Sequence, residues 1–468
     1  MEPDRRARWR AVSIYALMLF AAVAAVLAIR HLGADLQAPP PSPLARPDPH
    51  GAAPDVLARL LLALLVVILA ARGLGLLFRR LHQPPVIGEV VAGILLGPSL
   101  LGAFAPGATA FLFPSNVLPL LGMLAQVGVI LFMFLVGLEL DAGPLRQRTH
   151  AVVAISHASI AVPFVLGTAL ALALYPRFAT SDVPFGTFAL FLGVAMSITA
   201  FPVLARILRD HGIDRTPIGV LAISAAAVDD VTAWCLLAIV IGIARGQEAG
   251  GLAAIGLALV YGAIMWTVVR PLLRRVVERH DAGARGTVAL VLVGVVASAL
   301  ATEAIGIHAL FGAFLLGALV PHDSRLAREL AARIEDVVLV LLLPAFFAVT
   351  GLRTRLGLLG TWEHWLWFLA VLAVACIGKL AGAAVPARLT GLSWRDAASV
   401  GILMNTRGLM ELIVLNIGLE LGLISGTLFA LMVLMAVATT VSTGPVLELL
   451  MPRAERVQDP GGRLQEGG

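Results

Sequence analysis

Two adjacent acids, Asp229 and Asp230, interrupt the otherwise apolar stretch ISAAAVDDVTAWCLL, and one amine, Lys379, interrupts another. Such groups have few uses away from bulk water. Burial favours the neutral carboxylic acid and a nearby cation favours the carboxylate, so a sequestered aspartate holds either a proton or a metal ion, not both. Lys379 is the only lysine in the chain; all other basic side chains of the Lys/Arg type are arginine. Arginine keeps its charge in proteins, whereas a buried lysine can give up its proton. A lysine near a membrane surface snorkels, but Arg388 at the end of the same run lies about 13 Å further along a helix, which leaves Lys379 deep. Consecutive helical residues point about 100° apart, so the two acids cannot share a face. Asp229 is expected to pair with Lys379 across the bundle while its neighbour faces an ion cavity. An aspartyl hydrolase needs two acids from separate elements over one water, which neighbours on one helix do not provide.

Two further segments carry polar groups inside apolar runs. MSITAFPVLAR holds Ser197, Thr199 and Pro202, and MNTRGLMELIVLN holds Asn405, Thr406, Arg407 and Gly408. Proline removes a backbone hydrogen bond and crowds the preceding turn. In lipid the freed groups are tolerated only where protein or a water-filled cavity satisfies them. Interrupted helices in equivalent places of two halves are the sequence pointer to a midplane ion site, so these residues are expected to support discontinuous helices. Arg407 and Glu411 have salt-bridge spacing, i to i+4. Glu89 is expected at the cytoplasmic mouth of a pathway, Glu303 and His308 are candidates for gating at an outer turn, and Glu139 and Asp141 read as interfacial.

The elements that must position these residues are membrane helices. Only 13% of the residues are charged and 59% are hydrophobic, where a soluble domain carries about 25% charged residues. Apolar runs fall at 11–29, 55–78, 84–103, 117–139, 150–174, 186–209, 217–244, 251–270, 285–303, 305–321, 335–352, 364–388, 397–422 and 427–450, most near the roughly 20 residues that a span needs. The division is an N-terminal extra helix with a Pro-rich linker (1–54), a thirteen-helix unit (55–450), and a short tail (451–468). The first run is longer than a signal-peptide core of about 7–15 residues, so it is expected to be retained. With the N-terminus in the cytoplasm, only Arg30, Arg46, Arg177, Arg245, Arg353 and Arg355 fall in outer loops; this bias places both termini in the cytoplasm. The net charge of +5 therefore reads as topology and not as a nucleic-acid surface. Cys235 and Cys376 have no metal-ligand spacing, and no cofactor is expected beyond the transported ions.

The runs also repeat. FMFLVGLEL (132–140) resembles FFAVTGLRT (346–354), and GEVVAGILLGP (88–98) resembles FGAFLLGALVP (311–321). The copies lie an odd number of spans apart, so they face opposite ways across the bilayer, as in the inverted repeats of secondary transporters.

These motifs, with QPPVIGEVVAGILLGP, SITAFPVLARIL, AAAVDDVTAW, LLLPAFFAVTGLR and NTRGLMELIVLNIGL, resemble the monovalent cation:proton antiporter-2 family, the bacterial relatives of plant and yeast cation/H⁺ exchangers, over about 55–450. The resemblance implies an all-α polytopic protein of the inverted-repeat sodium/proton-antiporter type, with two crossed discontinuous helices. It also implies a homodimer in the inner membrane, with a dimerisation part and a mobile core part within 55–450, that exchanges Na⁺ or K⁺ for H⁺ by alternating access. Within AAAVDDVTAW it places the metal cation and its competing proton on Asp230, assisted by Ser197 and Thr199, and makes Asp229 the lysine-paired, proton-carrying acid; two acids at these positions imply electrogenic exchange. A cation channel or a proton-coupled exporter of an organic solute is the alternative: a channel would conduct along the ion's own gradient without protons, and an exporter would have a more aromatic site than one holding only Trp234.

Overall fold

The structure is a computed structural model that describes residues 56–139, 149–245, 248–279, 285–321 and 324–451, except 82, 181 and 215, together with part of 17–33. The linker at 34–54, the Glu139 side chain, Asp141 and the tail beyond 451 lie outside the described residues. Near the N-terminus, Val23–Leu32 forms α1.

All regular structure among the described residues is helical, as backbone spanning lipid must be when no water can satisfy it. In chain order the helices are α2 (Val56–Arg80), α3 (Pro85–Leu96), the short α4 (Leu101–Phe104) and α5 (Pro106–Leu112), α6 (Leu118–Glu139), α7 (Thr149–Phe178), α8 (Phe185–Ser197), α9 (Phe201–Asp210), α10 (Pro217–Arg245) and α11 (Glu248–Ile264). They continue as α12 (Arg270–Arg279), α13 (Arg285–Ile305), α14 (Ala309–Leu319), α15 (Arg325–Val337), α16 (Leu343–Arg353), α17 (Trp362–Leu389), α18 (Trp394–Met404), α19 (Leu409–Glu420) and α20 (Gly426–Leu450). A π-turn joins α11 to α12 and another joins α15 to α16. Among the described residues 11 stretches are long and apolar enough to span, and the pair α18–α19, bent by 43°, makes 12.

One expected span is shorter than its apolar run. In place of 305–321 stands α14, with 11 residues, about half the thickness of a bilayer core. The turn at Gly306 (φ 95°) and His308 (φ 82°) uses up the start of that run.

The helices sort into two groups by packing. In the first, α17 lies along α7 and α18, α7 lies along α8 and α10, and α20 closes on α17, α18 and α19. In the second, α2 packs on α3, α3 on α16, α6 on α14 and α16, and α13 on α14. Apart from places where the chain passes from one group to the other, contact between them is sparse and includes that of α3 with α20.

The second group displays the repeat directly. α3 and α14 carry one pair of matching segments, and α6 and α16 carry the other. Each α3-type helix crosses an α6-type helix of the opposite copy: α3 crosses α16, and α14 crosses α6. Glycines allow both crossings. A Cβ on Gly93 would lie 2.6 Å from the Phe347 carbonyl oxygen, and one on Gly351 would strike the Gly93 backbone. Likewise a Cβ on Gly137 would strike the Phe314 carbonyl and one on Gly317 the Phe134 carbonyl.

Candidate functional site: two carboxylates and a lysine at crossed helix breaks

Both expected helix breaks are present. α8 stops at Ser197 and α9 resumes at Phe201; α18 stops at Met404 and α19 resumes at Leu409. Pro202 sits in the first turn of α9, where its missing N–H would have no helical partner anyway. The two breaks meet: the Ala200 N–H donates to the Thr406 carbonyl at 2.9 Å, and Thr199 Oγ1 lies 3.1 Å from the Met404 carbonyl. Gly408 is extended, and a Cβ there would press on Val203 Cγ2 at 2.9 Å, so this glycine provides close approach of the two breaks.

Arg407 ties the crossing together and is fully buried. Its guanidinium donates to the carbonyls of Ala195 (3.0 Å) and Met196 (2.6 Å), the last turn of α8, and to Glu411 Oε2 (2.7 Å). A positive charge at a helix C-terminus offsets the negative end of its dipole, and the half-helix α8 ends among buried residues. Thr440 on α20 brackets the backbone of the same residue, accepting from Arg407 N at 3.1 Å and donating to Arg407 O at 2.5 Å.

Asp229 and Asp230 sit in the middle of α10; Asp229 reaches Thr199 at the crossing, and the surroundings of the two acids differ. Asp229 is fully buried, and both of its oxygens accept hydrogen bonds. Its Oδ1 accepts from Ser156 Oγ at 2.7 Å. Its Oδ2 accepts from Ser159 Oγ at 2.7 Å and Lys379 Nζ at 3.1 Å, with Thr199 Oγ1 at 2.9 Å. Lys379, also fully buried, lies 2.7 Å from Thr199 Oγ1. Thr199 has one proton to give, so it donates to Asp229 or to Met404 and accepts from Lys379. Asp230 is 2% exposed, and neither of its oxygens has a hydrogen-bond partner. A buried polar group without a partner costs about 1–3 kcal/mol, and a charged one more.

The structure brings Asp229, Asp230, Thr199, Lys379 and the break residues 405–408 together and leaves other candidates apart. Ser197 returns its hydroxyl to Gly193 O (2.7 Å) and Ile160 O (3.1 Å) and does not reach the carboxylates. That is the usual fate of a serine in a last helical turn, whose proton finds the carbonyl four residues back. Asn405 donates to Cys376 Sγ at 3.5 Å, while its Oδ1 and Thr406 Oγ1 have no hydrogen-bond partner. Glu303 belongs to the second helix group and accepts from the Ala309 N–H at 2.9 Å, capping α14; His308 occupies the same turn. Glu89, on α3, faces the charges of Arg72 on α2 and Arg206 on α9. Sequence reasoning missed Ser156 and Ser159. Their only signal is two hydroxyls one turn apart in ISHASI, a pattern common in helix packing.

Comparison with known proteins gives a consistent result. The profile of the family described as "Sodium/hydrogen exchanger, transmembrane" matches residues 60–451. The Na⁺/H⁺ antiporter NhaS4 of Synechocystis is 45% identical over 404 residues, covering 85% of this chain and 98% of that protein. Cation/H⁺ antiporter 20 of Arabidopsis thaliana is 42% identical over 82% of this chain and 47% of its own length. K⁺/H⁺ antiporter 1 of Saccharomyces cerevisiae is 33% identical over 84% and 46%. The chain thus spans about half the length of these plant and yeast relatives. Among solved structures, the sodium proton antiporter MjNhaP1 of Methanocaldococcus jannaschii superposes with a TM-score of 0.60 at 15% identity, over 86% of this chain and 98% of that one.

Proposed function

The chain belongs to the family of transmembrane sodium/hydrogen exchangers, and on that premise we propose how its residues exchange a monovalent cation for protons. Asp230 holds the cation or the competing proton. Asp229 and Lys379 form the charge-neutral wall beside it. The observation that carries this assignment is the contrast between neighbours: both oxygens of Asp229 accept from protein donors, while neither oxygen of Asp230 has a hydrogen-bond partner. A vacant, hard, anionic oxygen pair is what a partly dehydrated alkali cation requires.

The charge balance decides what each turnover moves. The Asp229–Lys379 pair is neutral, and Asp230 is neutral whether it holds a proton or a monovalent cation. A one-for-one exchange on Asp230 alone therefore moves no net charge. Electrogenic exchange needs a second proton, and Lys379 is the buried group beside the site that can release one.

Access alternates by movement of the first helix group, which carries the crossing, against the second, across their sparse contact. The protein is an integral multi-pass membrane protein. We place it in the inner membrane with both ends in the cytoplasm, as a homodimer joined through the second group. The names of its relatives divide between Na⁺ and K⁺, so the proposed cargo is either of these ions. Everted vesicles energised to a pH gradient test both points, with Na⁺, K⁺, Li⁺ and Rb⁺ added in turn. Wild-type protein should dissipate the gradient with its own cation, and Asp230→Asn should not; retained exchange in that variant would remove Asp230 from the role.

A further inference from the structure

Four side-chain hydrogen bonds joining the two helix groups all end on Asn416 or Glu420, near the C-terminal end of α19. Arg353, the last residue of α16, donates to Glu420 Oε1 at 2.7 Å and to Asn416 Oδ1 at 3.0 Å. Asn416 donates in turn to Thr350 Oγ1 on α16 at 2.7 Å. Gln126 on α6 donates to Glu420 Oε2 at 3.3 Å. All of these lie on one face of the molecule, where α3, α16 and α19 end and α20 begins.

Each side of this cluster is fixed to its own group. Ser99, beyond the end of α3, donates to the Thr354 carbonyl at 2.8 Å and accepts from the Leu356 N–H at 3.0 Å, holding the chain just past Arg353. On the other side, α19 is a rigid half-helix whose first turn carries Glu411 of the Arg407 pair. Asn416 and Glu420 lie about 10 and 16 Å along it from the break. The Arg353–Glu420 pair is about one-third exposed on both sides, so it is open to the medium at that face.

We propose that the Arg353–Asn416–Glu420 cluster is a lock on the outer face. Formed, it holds the mobile group closed against that face; it must part before the site opens there. Its strength sets how often the cation site is presented outside. The same pairing places a base on the stationary group and an acid on the moving one, so an exchange of charges preserves it. This inference rests on the antiporter reading and extends it to control of access.

The test is the ratio of apparent KM for the cation measured in right-side-out and everted vesicles. Apparent affinity at a face scales with the fraction of molecules open to it. Arg353→Gln and Glu420→Gln should lower the KM outside relative to inside by about three- to tenfold, the worth of a partly exposed charge-assisted bond. Arg353→Glu with Glu420→Arg should return the ratio to the wild-type value, and Gln126→Leu should shift it in the same direction by less. A clamp that merely stabilises the fold would change yield or turnover and leave the ratio alone. Unchanged ratios in folded variants overturn the lock; if the single charge variants do not insert, an unchanged ratio in Gln126→Leu or an unrestored one in the exchanged pair does the same. Absence of any exchange by the wild type would overturn the antiporter reading instead.

Discussion

Ser156 and Ser159 explain how two neighbouring carboxylates take different work. Together with Lys379 they fill Asp229, and nothing on the described residues fills Asp230. The Asp229–Lys379 pair was legible in the sequence because a buried acid and the chain's only lysine are costly in an apolar run. The serines were not, because hydroxyls in a packed helix interface look the same whether or not they aim at an acid. The orientation of Ser197 was not legible for a related reason: its position at the break is evident from sequence, but its hydroxyl proton goes to a backbone carbonyl. Lys379 also allows a prediction. Lys379→Arg keeps a positive partner for Asp229 that cannot release its proton. Exchange should persist at reduced rate, and any net charge displacement of the wild type, read as transient current on a solid-supported membrane, should vanish. Currents equal to wild type would show that Lys379 holds its proton throughout.

At the scale of elements, the crossing depends on half-helices that end among buried residues. Arg407 satisfies the last carbonyls of α8 from the opposite break, and Glu411 balances its charge. Arg407→Gln should be destabilising by about 3–5 kcal/mol, because it leaves a buried carboxylate without its partner. The double variant Arg407→Gln/Glu411→Gln should recover part of that loss; melting of the purified protein in detergent compares the two, and equal melting temperatures would deny the pairing any role in stability. The i, i+4 spacing announced the Arg407–Glu411 pair, but its reach to α8 depends on the crossing. Helix lengths were less legible. The run 305–321 is apolar enough to span, yet a turn with His308 at φ 82° shortens it to α14, and hydropathy carries no record of backbone turns.

For the whole molecule, the inverted repeat was readable as two weak segment matches, and the structure turns them into two equivalent glycine crossings, α3 with α16 and α14 with α6. Which helices belong to which of the two groups was not readable, because lipid-facing and protein-facing apolar residues share a composition. If the groups must move past each other, joining them stops transport. Val90 on α3 and Ala436 on α20 line one narrow crevice at their boundary. Cysteines placed at both positions, in a chain freed of Cys235 and Cys376, should abolish exchange when bridged by a short cleavable bifunctional reagent and regain it on cleavage. Undiminished exchange in the bridged protein would mean that the groups work without relative movement.

The solitary lysine has a practical consequence. Cells fed lysine enriched in ¹⁵N at the side-chain nitrogen would yield a protein with one labelled amine, seated beside Asp229. Magnetic resonance would then give a single line from the buried site, whose frequency reports ammonium or free amine while sodium, potassium or acid is titrated in.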